Sequence, residues 1–198
     1  MLSGSGTLFY FHLGVVKSLW EQDLLPKIIC GSSGGALISS LVATHSQQEL
    51  QKIFNPEYIR FEVEQNSSAL PGFGLLRKQA IPLSAVKELY ARLIPEITFE
   101  EAYQLTGYKL NVSVAPVEKH QSSRLLNAIA SPNVLVRDAV MASSAFPGFF
   151  PAVALRAKDE HGNIRPYLED RKWMDGSISD DMPIKRIARL YGVNHFIV

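Results

Sequence analysis

Apolar residues along the chain change period from one segment to the next, and each change predicts an element. Leu13, Val16, Leu19 and Trp20 recur at helical spacing and predict a helix over 13–22. A turn at Asp23–Pro26 leads into Lys27–Cys30, a short β-branched run that reads as a strand. Gly34–Thr44 is helical again, with Ala36, Leu37, Leu41 and Val42 mostly on one side. Further helices are predicted at Gln47–Phe54, at Ser84–Leu93 and after Thr98, where Glu101 completes a capping box. "KLNVSVAPV", residues 109–117, alternates and predicts a strand with Leu110, Val112 and Val114 facing inward. Val136–Ser144 is a predicted helix, and Val153–Lys158 and Ile164–Tyr167 flank "EHGN" as the arms of a hairpin. Pro183–Leu190 is a helix with Ile184, Ile187 and Leu190 on one face, and "HFIV", residues 195–198, reads as a final buried strand. The opening order of loop, helix, strand, tight turn and helix is an α/β rhythm with a parallel sheet behind it.

No repeat, low-complexity tract or linker divides the 198 residues, so a single domain over 1–198 is expected. Apolar residues at 46% and charged residues at 20% describe a globular chain, not a disordered one. A net charge of +1 gives no reason to expect nucleic acid. Cys30 is the single cysteine and has no internal disulfide partner, so the fold does not depend on an oxidising compartment. No apolar run approaches the ~18 residues of a membrane span, and no leader-like basic region opens the chain. The chain is expected to be soluble or peripheral to a membrane, and intracellular. Only Met1 and Leu2 precede the first glycine loop and the chain stops inside an apolar run, so the domain is expected to come from a longer polypeptide.

Candidate chemistry starts at "IICGSSGGALISS", residues 28–40. Serine and glycine also make ordinary linkers, but here Gly31-x-Ser33-x-Gly35 stands between a strand and a helix, the setting of a nucleophile elbow. Ser33 then opens a helix, where free N–H groups and the dipole favour developing negative charge. Ser32 points elsewhere. A serine nucleophile needs an oxyanion hole and a base. "LSGSG" supplies Gly4, Ser5 and Gly6, whose N–H groups can surround an oxyanion; the Lys-Ser/Thr of a phosphate loop is absent. Asp175, before a glycine in "WMDGSISDDMP", is the candidate base, against the plain reading of Asp-Gly as a turn. Asp181 reads as a helix cap ahead of Pro183. A triad with His195 would need several strands before the elbow, and there is room for one; His195 and His12 read as structural histidines.

With these three motifs in this order, the chain resembles the patatin-like acyl hydrolases. The likeness runs almost throughout "LSGSGTLFYFHLGVVKSLWEQDLLPKIICGSSGGAL" and continues in "HQSSRLLNAIASPNVLVRDAVMASSAFPGFFPAV" and "MDGSISDDMP". It is nearest to the branch with triacylglycerol lipases and weakest between 46 and 105. The resemblance implies a three-layer α/β/α domain with a mostly parallel central sheet, and a Ser-Asp dyad without histidine. Carried over by position, Ser33 is the nucleophile on an elbow framed by Gly31 and Gly35, and Asp175 is the base. Gly4, Ser5, Gly6 and Gly34 hold the oxyanion, and water releases the fatty acid from an acyl-enzyme. The implied substrate is a glycerolipid, triacylglycerol or phospholipid, met in transient contact with a membrane or lipid-droplet surface. No metal or cofactor is called for.

Three positions depart from the family's glycine loop. Ser5 stands where a glycine is usual and puts a Cβ where substrate should approach. Leu8 replaces a common Arg or Lys, and Phe9 a frequent glycine. Losing one oxyanion donor costs ~10²–10³ in rate, so a weakly active or inactive module that binds lipid or protein is the alternative. "FPGFF", 146–150, and "LPGFGLL", 70–76, are candidate walls of an acyl channel, or ordinary core.

Overall fold

The computed structural model describes residues 1–55, 57–58, 83–118 and 120–198. The apolar loop at 70–76 lies outside them. A short 3-10 turn, Gly6–Leu8, runs directly into α1 (Phe9–Glu21), which therefore begins four residues before the expected start. There follow β1 (Ile28–Gly31), α2 (Gly34–Thr44), α3 (Gln47–Ile53), α4 (Leu83–Leu93) and α5 (Phe99–Thr106). Beyond these come β2 (Lys109–Pro116), β3 (Arg124–Asn127), α6 (Val136–Ser143), the pair β4 (Arg156–Lys158) and β5 (Ile164–Pro166), β6 (Trp173–Asp175), α7 (Ser177–Asp180) and α8 (Ile184–Tyr191).

Local sequence explains several boundaries. The capping box at Thr98 forms as expected, and a second one opens α3: Ser46 accepts the Glu49 N–H while Glu49 accepts the Ser46 N–H. Gly107 ends α5 in the left-handed conformation, φ 71°. The hairpin turns because Asp159 accepts the N–H groups of both His161 and Asn163.

The central sheet is mixed. β1 pairs parallel with β2, from Ile28 opposite Lys109 to Gly31 opposite Val112, and Leu2 adds a parallel bridge to Gly31. On β2, β3 and β6 pair antiparallel. The alternation of β2 sorts its side chains onto two layers. Leu110, Val112 and Val114 join the hydrophobic core with α2, α5 and α6. Asn111 and Ser113 face the opposite layer: Asn111 accepts from Tyr191 of α8 at 3.0 Å and Ser113 donates to the Asp180 carbonyl at 2.8 Å. A helical layer on each face gives the three-layer α/β/α arrangement.

Two expectations change. α2 is buried on every side, not on one, because α1, α5, α6 and the sheet all pack around it. Two of its hydroxyls are satisfied within the helix, Ser40 donating to Leu37 and Thr44 to Ser40, while the buried Ser39 hydroxyl has no partner among the described residues. The last segment, "HFIV", is not a strand, and His195 is exposed beside Asn194 instead of buried. An apolar run without a neighbouring strand to take its N–H groups cannot form a ladder.

Candidate active site

Ser33 sits at the tip of the turn between β1 and α2 with φ 50° and ψ −121°. Sparsely populated backbone conformations of this kind cost of order 1–3 kcal/mol and persist only where the surroundings enforce them. Here a Cβ on Gly31 would run into the Gly35 carbonyl, and one on Gly35 into the carbonyls of Leu2 and Ser3. The turn can close this tightly only with glycine at both places. The Ser33 N–H then donates to Ser143 Oγ at 2.9 Å, and that hydroxyl donates onward to the Ser113 carbonyl at 2.7 Å. Ser32 is fully buried and turns away, donating to the Asp181 carbonyl at 2.8 Å. Ser33 itself is only partly buried.

Asp175 ends β6 and is 1% exposed. Its N–H donates to the Ala145 carbonyl at 3.1 Å, and its carboxylate accepts the Ser177 N–H at 2.9 Å. Burial raises its pKa; the Ser177 N–H and the nearby hydroxyls of Ser177 and Ser33 pull it back, and the negative Asp181 pushes it further up. Among the described residues no Lys or Arg forms a salt bridge with it. The Asp-Gly pair reflects more than a turn: a Cβ on Gly176 would run into the Ser113 carbonyl, so Asp175 can lie against β2 only because glycine follows it.

The structure thus brings Ser33 and Asp175 together, with Gly31 and Gly35 shaping the elbow. The glycine loop lies beside them but differs from expectation at Gly4. Its N–H is taken by Asp181 Oδ1 at 2.8 Å, so a satisfied donor stands where a free one was expected. Among the described residues the N–H groups of Ser5 and Gly6 make no such bond, and that of Gly34, first in α2, has no acceptor within its helix. The Ser5 hydroxyl is buried and turned against Gly34, with no partner among the described residues. Phe9 is absorbed into the core at 4% exposed, whereas Leu8 is 70% exposed.

Asp181 does not cap the helix that follows it, as α8 starts after Pro183 with no side-chain cap; it stands at the C-cap of α7 instead. His12 sits 3.1 Å from the Ser3 carbonyl and holds the glycine loop to α1, a structural part as expected. In "FPGFF", Phe146 and Phe149 are 46% and 59% exposed, which removes core packing as their role.

A family model described as Patatin-like phospholipase matches residues 1–188. The chain belongs to that family. Among the relatives of this patatin-like chain, Triacylglycerol lipase SDP1L of Arabidopsis thaliana is 39% identical over all of this chain and 27% of its own length. Triacylglycerol lipase 5 of Saccharomyces cerevisiae is 37% identical over all of this chain and 29% of its own. The chain therefore spans little more than a quarter of these relatives. VipD from Legionella pneumophila superposes with a TM-score of 0.52 at 17% identity, over 92% of this chain and 46% of that one, a likeness of fold alone.

Sequence reading passed over Ser143, Ser113 and Tyr90. Tyr90 is buried, donates to Ser144 at 2.8 Å and has its pKa pushed up to about 12 by burial. The "ASSAF" stretch was a signal for Ser143 and its neighbour Ser144, since adjacent hydroxyls in an apolar helix need acceptors. No pattern marks Ser113 or Tyr90.

Proposed function

We propose that this patatin-like chain is a serine acyl hydrolase of glycerolipids, with Ser33 as nucleophile and Asp175 as base. One observation carries the reading: the serine on the strained elbow has its hydroxyl beside a buried carboxylate that has no salt-bridge cation among the described residues. Asp175 takes the Ser33 proton as Oγ attacks the acyl carbonyl, and the oxyanion is held by the N–H groups of Ser5, Gly6 and Gly34. The proton passes to the leaving alcohol. Water, deprotonated by the same carboxylate, then attacks the acyl-enzyme carbonyl, and that proton passes to Ser33 Oγ as the fatty acid leaves. The two relatives named as triacylglycerol lipases support an acylglycerol over a headgroup-bearing lipid. Leu8, Phe11 and Phe149, at 70%, 74% and 59% exposed, support transient contact with a membrane or lipid droplet.

The second reading, a weakly active or inactive lipid- or protein-binding module, is favoured by the engaged Gly4 N–H. Fluorophosphonate labelling with peptide mapping separates the two. A single adduct on Ser33, with ester turnover lost in Ser33→Ala, supports the hydrolase. A folded chain that takes no adduct supports the module.

A further inference from the structure

We propose that Asp181 is a positioning residue for the reaction at Ser33, its carboxylate fixing the glycine loop and its main chain fixing the elbow. This role rests on the hydrolase reading above. A loop of Gly4, Ser5 and Gly6 offers few side chains to hold itself in place, and glycine loses much conformational freedom on ordering. The restraint must come from outside the loop. Asp181 supplies it twice over: Oδ1 accepts the Gly4 N–H at 2.8 Å, and its carbonyl accepts the Ser32 hydroxyl at 2.8 Å. Loop and elbow are thereby tied to one residue, one on either side of Ser33.

That residue is itself anchored. The segment from Gly176 to Asp181 leaves β6 immediately after Asp175, and Ser113 of β2 donates to the Asp180 carbonyl at 2.8 Å. Gly4 also packs on this segment, since a Cβ placed there would lie 3.1 Å from the Ser177 Cβ. One short stretch therefore holds the base, the loop and the elbow in register, and a change of a few tenths of an ångström at Asp181 reaches the Ser5 and Gly6 N–H groups. The carboxylate's charge is not what the loop needs. Negative charge beside an oxyanion site opposes the oxyanion, whereas an amide oxygen would accept from Gly4 equally well.

The test is the pair Asp181→Ala and Asp181→Asn, measured for kcat and KM on a short-chain soluble ester, for Ser33 labelling rate, and for thermal stability. Asp181→Ala is expected to lower kcat about 10–100-fold with KM within ~3-fold, and to slow labelling in parallel. Asp181→Asn is expected to restore kcat to within ~3-fold of wild type or above it. Should Asp181→Ala fail to fold, Asp181→Ser, too short to reach Gly4, is read in its place. An Asp181→Ala protein with wild-type kcat overturns the proposal, as do equal losses in both variants that follow their melting temperatures. A wild-type chain that neither labels nor turns over the ester overturns the hydrolase reading, and this role with it.

Discussion

Asp138 and Asp175 are buried to nearly the same degree, at 3% and 1% exposed, and their charges meet opposite surroundings. Asp138, in the first turn of α6, receives a two-pronged bond from Arg156: Nε to Oδ2 at 2.7 Å and Nη2 to Oδ1 at 2.8 Å. The Arg156 N–H adds a third bond at 3.1 Å. This fixes α6 to the hairpin and gives the buried carboxylate a cation. Asp175 has no salt-bridge partner among the described residues; burial raises its proton affinity, the Ser177 and Ser33 groups lower it, and the negative Asp181 raises it again. A paired buried acid stabilises geometry; an unpaired one is held ready to accept a proton, at a cost to stability.

The comparison breaks most visibly at Ser33. Ser33→Ala is expected to lower ester turnover at least ~10⁴-fold and abolish fluorophosphonate labelling, because the attacking atom is gone. Asp175→Asn is expected to lower kcat ~10²–10⁴-fold. The same variant should be as stable as wild type at pH 7, or more stable by ~1 kcal/mol in denaturant titration, since it removes an uncompensated buried charge. Asp138→Ala should do the reverse. It is expected to cost about 2 kcal/mol of stability, less than the ~3–5 of a fully buried pair because the Arg156 side chain is 44% exposed, while kcat per folded molecule is kept.

The pH dependence sharpens the contrast. Asp175 has its folded pKa raised above the unfolded value near ~3.9. The folded state then binds more protons in that window, so this group's contribution favours folding at low pH and is lost as pH rises through the folded pKa. On the proposed hydrolase reading, activity is expected to run the other way, rising through the same pKa as Asp175 ionises, with the acid limb of the kcat/KM profile above ~4. The smallest effect is at Ser5. Ser5→Ala removes a buried hydroxyl that has no partner and is expected to change stability by less than ~1 kcal/mol and kcat by less than ~3-fold.

Much of the site was legible because short-range patterns carry it. Strand, Gly-x-Ser-x-Gly and helix in succession leave one local geometry open to the backbone, and the alternation at Leu110, Val112 and Val114 assigns the core face of β2. Capping at Thr98 and the turn around Asp159 are likewise settled within five residues of chain. The resemblance to a known family placed Asp175 opposite Ser33 before any coordinates did.

Other features depend on contacts between residues far apart in sequence, and periodicity is blind to those. The amphipathic reading of α2 failed because burial depends on how many neighbours surround a helix, and its own spacing records only one face. The strand reading of residues 195–198 failed because a strand needs a partner. Asp181 looked like a helix cap; only the fold brings it to Gly4, 177 residues away. Ser143 likewise reaches the Ser33 N–H across 110 residues. The sequence by itself determined which residues are candidates for the chemistry and which local turns present them. Tertiary structure alone decided which buried acid is paired, which loop N–H is already spent and what holds the strained serine, because each depends on atoms that only the packed chain brings within 3 Å.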